Sequence, residues 1–271
     1  MELLSKNGLE KHRNKIIEHL NLVSFNVFFA KNVVDQKVTG EIFVDNTEYP
    51  QIFYILHPYG MSLLLGKSSD EFNYKFLELI LSRNIEQKRV EWMQVYPNEW
   101  GFRIKEILKD RIYKLAPSIE LDTRVNFKFN LSKYITSKKD LTDKNILISR
   151  TSKDDFENMK GSVVPKCFWN SSDEFINNGI GYSLFYKDTL ASLAFSAFVH
   201  NRYLELGIET QEQFRGRNIA YKVCSALIQY CVEEGFEPVW ACRELNIGSY
   251  KLAEKLGFEK SQTTTYFKLN Y

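Results

Sequence analysis

The residues best suited to chemistry lie in one stretch, 203–220, where a strand-like run is followed by a short basic turn and an amphipathic helical run. Gly216 has no Cβ, so the backbone there can approach a ligand closely. Arg215 and Arg217 place positive charge beside it, and Asn218 is a favoured N-cap residue for the helix. Because a helix N-terminus presents free N–H groups and a positive dipole end, this stretch predicts a phosphate-binding turn.

A second segment, 237–258, supports that interpretation. Taken alone, the turn is equally consistent with an ordinary strand–turn–helix connection that carries two exposed arginines. Residues 237–243 have the pattern of a strand, and Asn246 stands where this strand ends and a helix begins. Helical spacing then continues until Gly257, a typical residue at a helix end. Two strand–helix units therefore follow one another along the chain.

Together the two segments resemble the GNAT (GCN5-related) N-acetyltransferases. The run Gln213-Phe-Arg-Gly-Arg-Asn-Ile-Ala220 is similar to the family's Arg/Gln-x-x-Gly-x-Gly/Ala phosphate motif, with Asn218 in place of the middle glycine. Because asparagine tolerates left-handed backbone geometry, we expect the motif to bind phosphate in spite of this replacement. Residues 246–258 resemble the family's Asn-x-x-Ser/Ala…Glu-Lys-Leu-Gly-Phe signature. The resemblance covers about residues 145–271 and extends, less specifically, to two-part GNAT proteins of Gram-positive bacteria.

The resemblance implies that the protein binds acetyl-CoA as an acyl donor. The phosphate motif would hold the diphosphate of the donor, and backbone groups of the preceding strand would bind the thioester. The donor-binding residues implied in this way are Leu206, Gly207, Ile208, Phe214, Arg215, Gly216, Arg217, Asn218, Ile219, Ala220, Asn246 and Ser249.

The reaction implied by the family also needs a base, because an amine must be neutral to attack a thioester. Strand alternation over 203–210 predicts that Glu205, Gly207 and Glu209 share one face, with Gly207 leaving space beside the two carboxylates. Glu205 and Glu209 are therefore the candidate catalytic bases, and Glu205 is preferred because it lies farther from the phosphate turn. Taken singly, either glutamate is better explained as solvated or as paired with Arg202 or Arg243.

The reaction also needs a group that returns a proton to the departing thiolate. Family members often carry a tyrosine on the helix after Asn246, and the matching position here is Ala253. Ser249 lies one helical turn earlier on the same face, and Tyr250 is next to it, so both are candidates. Each is also consistent with a surface or packing role.

The predicted fold class is α+β, with a mixed, mostly antiparallel sheet flanked by helices. Strand and helix patterns recur in the same order in both halves, which predicts two tandem GNAT-like domains, 1–135 and 136–271, joined by a linker within 131–145. The first domain is expected to be degenerate, because residues 67–71 carry no Arg-x-x-Gly-x-Ala motif. The residues show no convincing identity between the halves, so chance agreement of two α+β domains is the alternative.

Composition narrows the functional class. The 271 residues are 44% hydrophobic and 26% charged, with a net charge of +2, which is far from the basic excess of a dedicated nucleic-acid-binding protein. The four cysteines and four histidines show no zinc-like spacing, so no metal site is predicted. The N-terminal residues lack a signal-peptide pattern, and no apolar run is long enough to span a membrane. We therefore expect a cytoplasmic protein with no membrane or nucleic-acid partner.

The function predicted from the resemblance is transfer of acetyl from acetyl-CoA to a primary amine of a small molecule or peptide, by direct attack in a ternary complex. The amine acceptor is not defined by the sequence, and the protein is expected to be a monomer or homodimer. Two alternatives remain open at this point. One is an aminoacyl or long-acyl transferase on a tandem GNAT scaffold, and the other is a non-catalytic CoA-binding protein.

Overall fold

The computed structural model of the protein describes residues 1–67, 75, 76, 79, 80, 90–107, 119–138 and 143–270. Its chain divides into two compact units. The N-terminal unit comprises residues 1–124 and 263–271, and the C-terminal unit comprises residues 125–262. The division thus lies earlier in the chain than the expected 135/136 boundary, and the last residues belong to the N-terminal unit.

The strands found in the described residues are β1 Glu2–Leu3, β2 Glu41–Val44, β3 Ile52–Leu56, β4 Met61–Gly66, β5 Val90–Tyr96, β6 Ile119–Phe129, β7 Ile146–Arg150, β8 Gly181–Tyr186, β9 Thr189–His200, β10 Tyr203–Thr210, β11 Glu237–Arg243 and β12 Phe258–Asn270. The helices are α1 Lys6–Asn21, α2 Phe28–Val34, α3 Glu99–Ile107, α4 Leu131–Ser137, α5 Lys153–Asn158, α6 Ser172–Asn178, α7 Ile219–Glu233 and α8 Ile247–Lys255. The sequence also predicts a helix near 70–82; residues 75, 76, 79 and 80 of it are helical, and the others lie outside the described residues.

The N-terminal unit contains a sheet in the order β1-β2-β3-β4-β5-β12. Strands β3 and β4 are buried throughout and pair as an antiparallel hairpin, as the sequence predicts from Pro58 and Gly60 in the turn between them; Gly60 has φ +91°. Strands β4 and β5 run parallel through five residue pairs, from Met61 opposite Trp92 to Leu65 opposite Tyr96. The helical residues Phe76 and Ile80 and the α3 residues Trp100 and Ile104 pack in the core against the buried side chains of this sheet.

The sheet of the N-terminal unit is completed by the end of the chain. Residues Tyr266–Asn270 of β12 pair antiparallel with β5, in a register that sets Tyr266 opposite Gln94 and Asn270 opposite Val90. Phe267 and Leu269 from this segment are fully buried in the same core as Met93. The sequence predicts that all residues up to 271 belong to the second domain. It does not predict this pairing, because the paired residues lie far apart in sequence.

The C-terminal unit contains a sheet in the order β6-β11-β10-β9-β8-β7, in which β7–β8, β8–β9 and β9–β10 pair antiparallel and β10–β11 pairs parallel. Helix α7 packs one apolar stripe into the core, with Val223, Leu227 and Cys231 at helical spacing. Helix α4 lies within the segment expected to be a linker, so that expectation was wrong for 131–137. Its sequence pattern is weak because Tyr134 is its single buried residue.

Two negative findings apply to the described ranges. No helix there is both long enough and apolar enough to cross a membrane. Among the same residues, no group of three or more histidine, cysteine, aspartate or glutamate side chains is arranged to hold a metal ion.

Candidate active site

Strand β10 leaves its parallel neighbour part of the way along its length. It pairs with β9 from end to end, but in the described residues its pairing with β11 covers only Tyr203–Glu205 opposite Glu237–Val239. The register with β9 also shifts between Glu205 and Leu206, where β9 has one extra residue. The backbone of Leu206, Gly207 and Ile208 therefore lies beyond the last pair, along the side where β10 and β11 have separated.

The phosphate turn follows β10 and has left-handed geometry at two residues. After a short 3-10 helix, Glu212–Phe214, the backbone reaches φ +79° at Gly216 and φ +58° at Asn218. A Cβ built on Gly216 would meet no atom within 4 Å, so the glycine serves the backbone conformation and faces open space. The turn thus presents an exposed backbone surface directly before α7.

Asn218 precedes α7 as predicted, but within the described part of the chain its side chain makes no capping hydrogen bond. The predicted side-chain cap was therefore wrong. A residue in the left-handed region directs its side chain differently from the extended N-cap residues that bond back to the first turn. As a result, no Asn218 oxygen occupies the N–H groups at the N-terminus of α7, where an anion would bind.

Arg215 is held from one side and exposed on the other. Its Nε donates to the Thr210 carbonyl oxygen at 3.0 Å, and its Nη2 donates to Glu209 Oε1 at 3.3 Å. The side chain is still 62% exposed. Since a guanidinium has five N–H donors, others remain for an anion in solution.

The second arginine of the turn lies over aromatic rings. The Arg217 guanidinium carbon is 5.9 Å from the centroid of Tyr186 and 6.0 Å from that of Phe214, and Lys187 Nζ is 5.8 Å from the Tyr186 centroid. Sequence reasoning missed Tyr186 and Lys187. A signal was present at 181–198, where the sequence predicts two paired strands joined by a turn at 187–189. Because β9 runs antiparallel to β10, that turn lies at the same end of the sheet as Arg217.

Glu209 is buried and accepts hydrogen bonds at both carboxylate oxygens. Oε2 accepts the backbone N–H groups of Ser162 at 2.8 Å and Val163 at 3.0 Å, and the Ser162 hydroxyl lies 3.5 Å away. Oε1 accepts the Thr210 N–H at 3.2 Å in addition to Arg215 Nη2. The carboxylate thus joins β10, the phosphate turn and the loop at 161–163.

Glu205 is also buried, at 6% exposure, and it is the last β10 residue paired with β11. The space expected beside Gly207 is filled, because a Cβ there would overlap the ring of Phe195. That part of the prediction was wrong: the glycine makes room for a cross-strand aromatic ring instead of a substrate. The sequence suggested Arg202 as a partner for these glutamates. In the structure, Arg202 Nη2 donates to Glu237 Oε2 at 2.8 Å.

The start of α8 orients the serine predicted to take part in the reaction. Asn246 caps the helix by accepting the Ser249 N–H at 3.2 Å, and Ser249 Oγ accepts the Trp240 indole N–H at 3.1 Å. The hydroxyl proton of Ser249 therefore remains available to a ligand. The Tyr250 ring packs edge-on against Phe127 with centroids 5.2 Å apart.

Ala253, at the position of the family's usual tyrosine, is fully buried in the core of the C-terminal unit. A tyrosine could not fit there without displacing its neighbours.

Comparison with known sequences gives two matches over most of the chain. The sequence model of the family described as GNAT acetyltransferase matches residues 25–267. The uncharacterized N-acetyltransferase YdfB of Bacillus subtilis (strain 168) is 25% identical over 245 residues, which cover 90% of this chain and 89% of YdfB.

Two solved structures illustrate the fold. The GCN5-related N-acetyltransferase-like protein of Streptococcus suis 89/1591 superposes with a TM-score of 0.73 at 20% identity, covering 96% of this chain and 99% of that protein. A tandem GNAT protein from the clavulanic acid biosynthesis pathway has a TM-score of 0.63 at 8% identity, covering 98% and 97%. These structures confirm the predicted fold class, a mixed α+β protein with a mostly antiparallel sheet flanked by helices.

Proposed function

Because the chain belongs to the GNAT acetyltransferase family and is an acyltransferase, we propose that its C-terminal unit binds acetyl-CoA and transfers the acetyl group to a primary amine of a small molecule or peptide. The separation of β10 from β11 beside the Arg215–Ala220 turn is the observation that carries this proposal. It leaves a strip of β10 backbone, Leu206–Ile208, beyond the last pair with β11, and this strip lies between a cationic turn and a buried carboxylate.

The donor would lie along that strip. Its diphosphate is expected at the turn, where Gly216 faces open space and Arg215 and Arg217 add positive charge to the α7 N-terminus. Its thioester is expected beside the backbone of Leu206–Ile208, close to the point where the two strands part. Asn246 and Ser249, at the start of α8 after β11, would flank the same opening.

The reaction proceeds by direct attack in a ternary complex. The neutral amine nitrogen attacks the thioester carbonyl carbon, the C–S bond breaks, the amine gives up one proton, and the thiolate takes up a proton. We assign the base to Glu205, directly or through a water, because it is buried where the strands separate. Ser249 is the better placed of the two candidate donors to the thiolate, since Trp240 already fixes its oxygen.

The N-terminal unit would have no donor site of its own, as expected if it is a degenerate GNAT-like domain. Its parallel pair β4–β5 stays hydrogen-bonded through five residue pairs, whereas β10–β11 parts after three. An unbroken pair leaves no backbone strip for a thioester. We propose that this unit has a structural role instead.

The test compares two glycines with matching geometry. Gly216 and Gly235 both have positive φ, and a Cβ on either would meet open space, so an aspartate should cost similar stability at each position. With acetyl-CoA at about 100 times its Kd, the wild type should gain about 2.7 kcal/mol of stability, or about 5 to 10 °C in Tm. Gly235→Asp should keep this shift, and Gly216→Asp should lose it.

An equal shift in both variants would contradict the placement of the diphosphate. The reaction itself would be tested by measuring thiol release from acetyl-CoA over a panel of primary amines, with the Glu205→Gln variant as the comparison. Binding without thiol release for any amine would refute the proposed transfer to this class of acceptor.

A further inference from the structure

We propose that Glu209 is a positioning residue for donor binding, which orients the Arg215 guanidinium and fastens the 161–163 loop, and that it is not a base. This inference rests on the proposed function, since it concerns how the same turn binds the CoA diphosphate. It gives the two buried glutamates of β10 different roles.

Hydrogen-bond donors surround the Glu209 carboxylate. Backbone N–H groups of Ser162, Val163 and Thr210 and the Arg215 guanidinium all direct donors at its two oxygens, at 2.8 to 3.3 Å. Every one of these partners can only donate. A proton taken from a substrate would have to displace one of them, so the site suits a permanent acceptor and not a proton carrier.

The loop at 161–163 packs closely against the Glu209 carboxylate. Gly161 has φ +150°, and a Cβ built on it would overlap the Glu209 carboxylate. The loop backbone therefore passes directly over the carboxylate, close enough for the next two N–H groups to bond to it. Glu209 fixes this loop and the phosphate turn at the same time.

The Arg215 guanidinium is held from the protein side and stays open to solution. Glu209 Oε1 and the Thr210 carbonyl oxygen bind two donors of Arg215 from the protein side, which restricts the guanidinium plane while its outer part stays exposed. An arginine held in this way loses less side-chain entropy when it binds an oxyanion. The remaining donors can then form a two-point contact with a diphosphate.

Charge alone predicts the opposite effect, which makes the proposal testable by sign. A carboxylate next to an anion-binding arginine repels the anion, so removing its charge should tighten CoA binding if Glu209 has no positioning role. Under the positioning role, its removal should weaken CoA binding.

The experiment measures CoA affinity by titration calorimetry with the full chain. Glu209→Gln should weaken CoA binding about 5- to 20-fold, a loss of the order expected for one hydrogen bond. The control is Glu212→Gln, which removes the same charge from an exposed residue on the adjacent 3-10 helix and should leave affinity unchanged or slightly tighter. In an Arg215→Gln background, Glu209→Gln should have little further effect, because the two residues act as a pair.

A second variant avoids the buried site altogether. Arg215→Lys keeps the charge on an exposed side chain but cannot keep both protein-side bonds of the guanidinium, so it should also bind CoA about 5- to 20-fold more weakly. Equal or tighter binding by Glu209→Gln, or wild-type affinity in Arg215→Lys, would overturn the inference. If the wild type itself did not bind CoA, the proposed function would fail instead, which is a separate result.

A readout of proton transfer completes the test. For an amine accepted by the enzyme, the acidic limb of the kcat profile against pH should be the same in Glu209→Gln as in the wild type, while KM for acetyl-CoA rises. Loss of that limb in Glu209→Gln would identify Glu209 as the base and refute the positioning role.

Discussion

The Arg215 guanidinium already has two protein acceptors, the Thr210 carbonyl oxygen and Glu209 Oε1. A freely rotating arginine would have to lose that freedom when it binds a diphosphate, at a cost comparable to one hydrogen bond. Arg217 is placed by a different interaction, with the rings of Tyr186 and Phe214. The two cations of the turn therefore have separate supports.

In the N-terminal unit, the buried side chain of His57 makes stability depend on pH. Burial lowers the pKa of His57 to about 4, and its Nδ1 accepts the N–H of Tyr59 at 3.1 Å. In the unfolded chain the pKa is about 6.5, so the unfolded state binds the proton more readily. We expect the free energy of unfolding to fall as the pH decreases from about 6.5 to 4, by up to about 3 kcal/mol from this residue.

Denaturant unfolding at several pH values would measure this effect, with His57→Gln as the comparison. The variant has no titrating group at this position, so its unfolding free energy should decline less steeply over the same pH range. Equal slopes for the two proteins would contradict the assignment to His57.

At the scale of elements, the start of α7 depends on backbone geometry more than on a side-chain cap. Asn218 has φ +58° and makes no capping bond within the described residues. Asn218→Gly should therefore be neutral or stabilising, whereas Asn218→Ser should cost about 1 kcal/mol, because serine is a good N-cap residue but enters the left-handed region poorly. Tm measurements distinguish the cases: a stable Asn218→Ser variant would indicate a conventional cap.

The two parallel strand pairs of the protein differ at the same scale. In the C-terminal unit the first three residues of β10 pair with β11, and in the N-terminal unit five residues of β4 pair with β5. The shift in the β9–β10 register at Glu205 accompanies the separation, as expected for an extra residue that increases local twist. This irregularity marks the unit to which we assign the donor.

At the scale of the whole molecule, each end of the long strand β12 belongs to a different unit. Phe258 is fully buried in the core of the C-terminal unit, and Phe267 is fully buried in that of the N-terminal unit. Phe267→Ala should cost about 3 to 5 kcal/mol and should loosen β3–β5, although the substitution lies near the end of the chain. Phe258→Ala is the matched change, and it should loosen α7 and β11.

Hydrogen exchange followed by mass spectrometry would locate both effects. Faster exchange confined to the C-terminal unit in Phe267→Ala would contradict the assignment of residues 263–271 to the N-terminal unit. Faster exchange in residues 52–66 and 90–96 would support it.

The sequence by itself determined the features that depend on neighbouring residues. The strand–turn–helix order at 203–220 and the Asn246 cap could both be predicted, because backbone preferences and capping act within a few positions. The motifs that resemble the family lie in these local segments, which is why the fold class could be predicted from them; the turn to which we assign the donor lies in one of the same segments.

Only the tertiary structure decided which residues far apart in sequence meet. It brought the 161–163 loop to Glu209 and the Tyr186 ring to Arg217, and it paired the end of β12 with β5. The sequence placed Glu205 and Glu209 on one face but could not separate their roles. The reason is physical: strand register and loop docking are set by burial and hydrogen bonding across the sheet, and neither leaves a periodic signal in the residues involved.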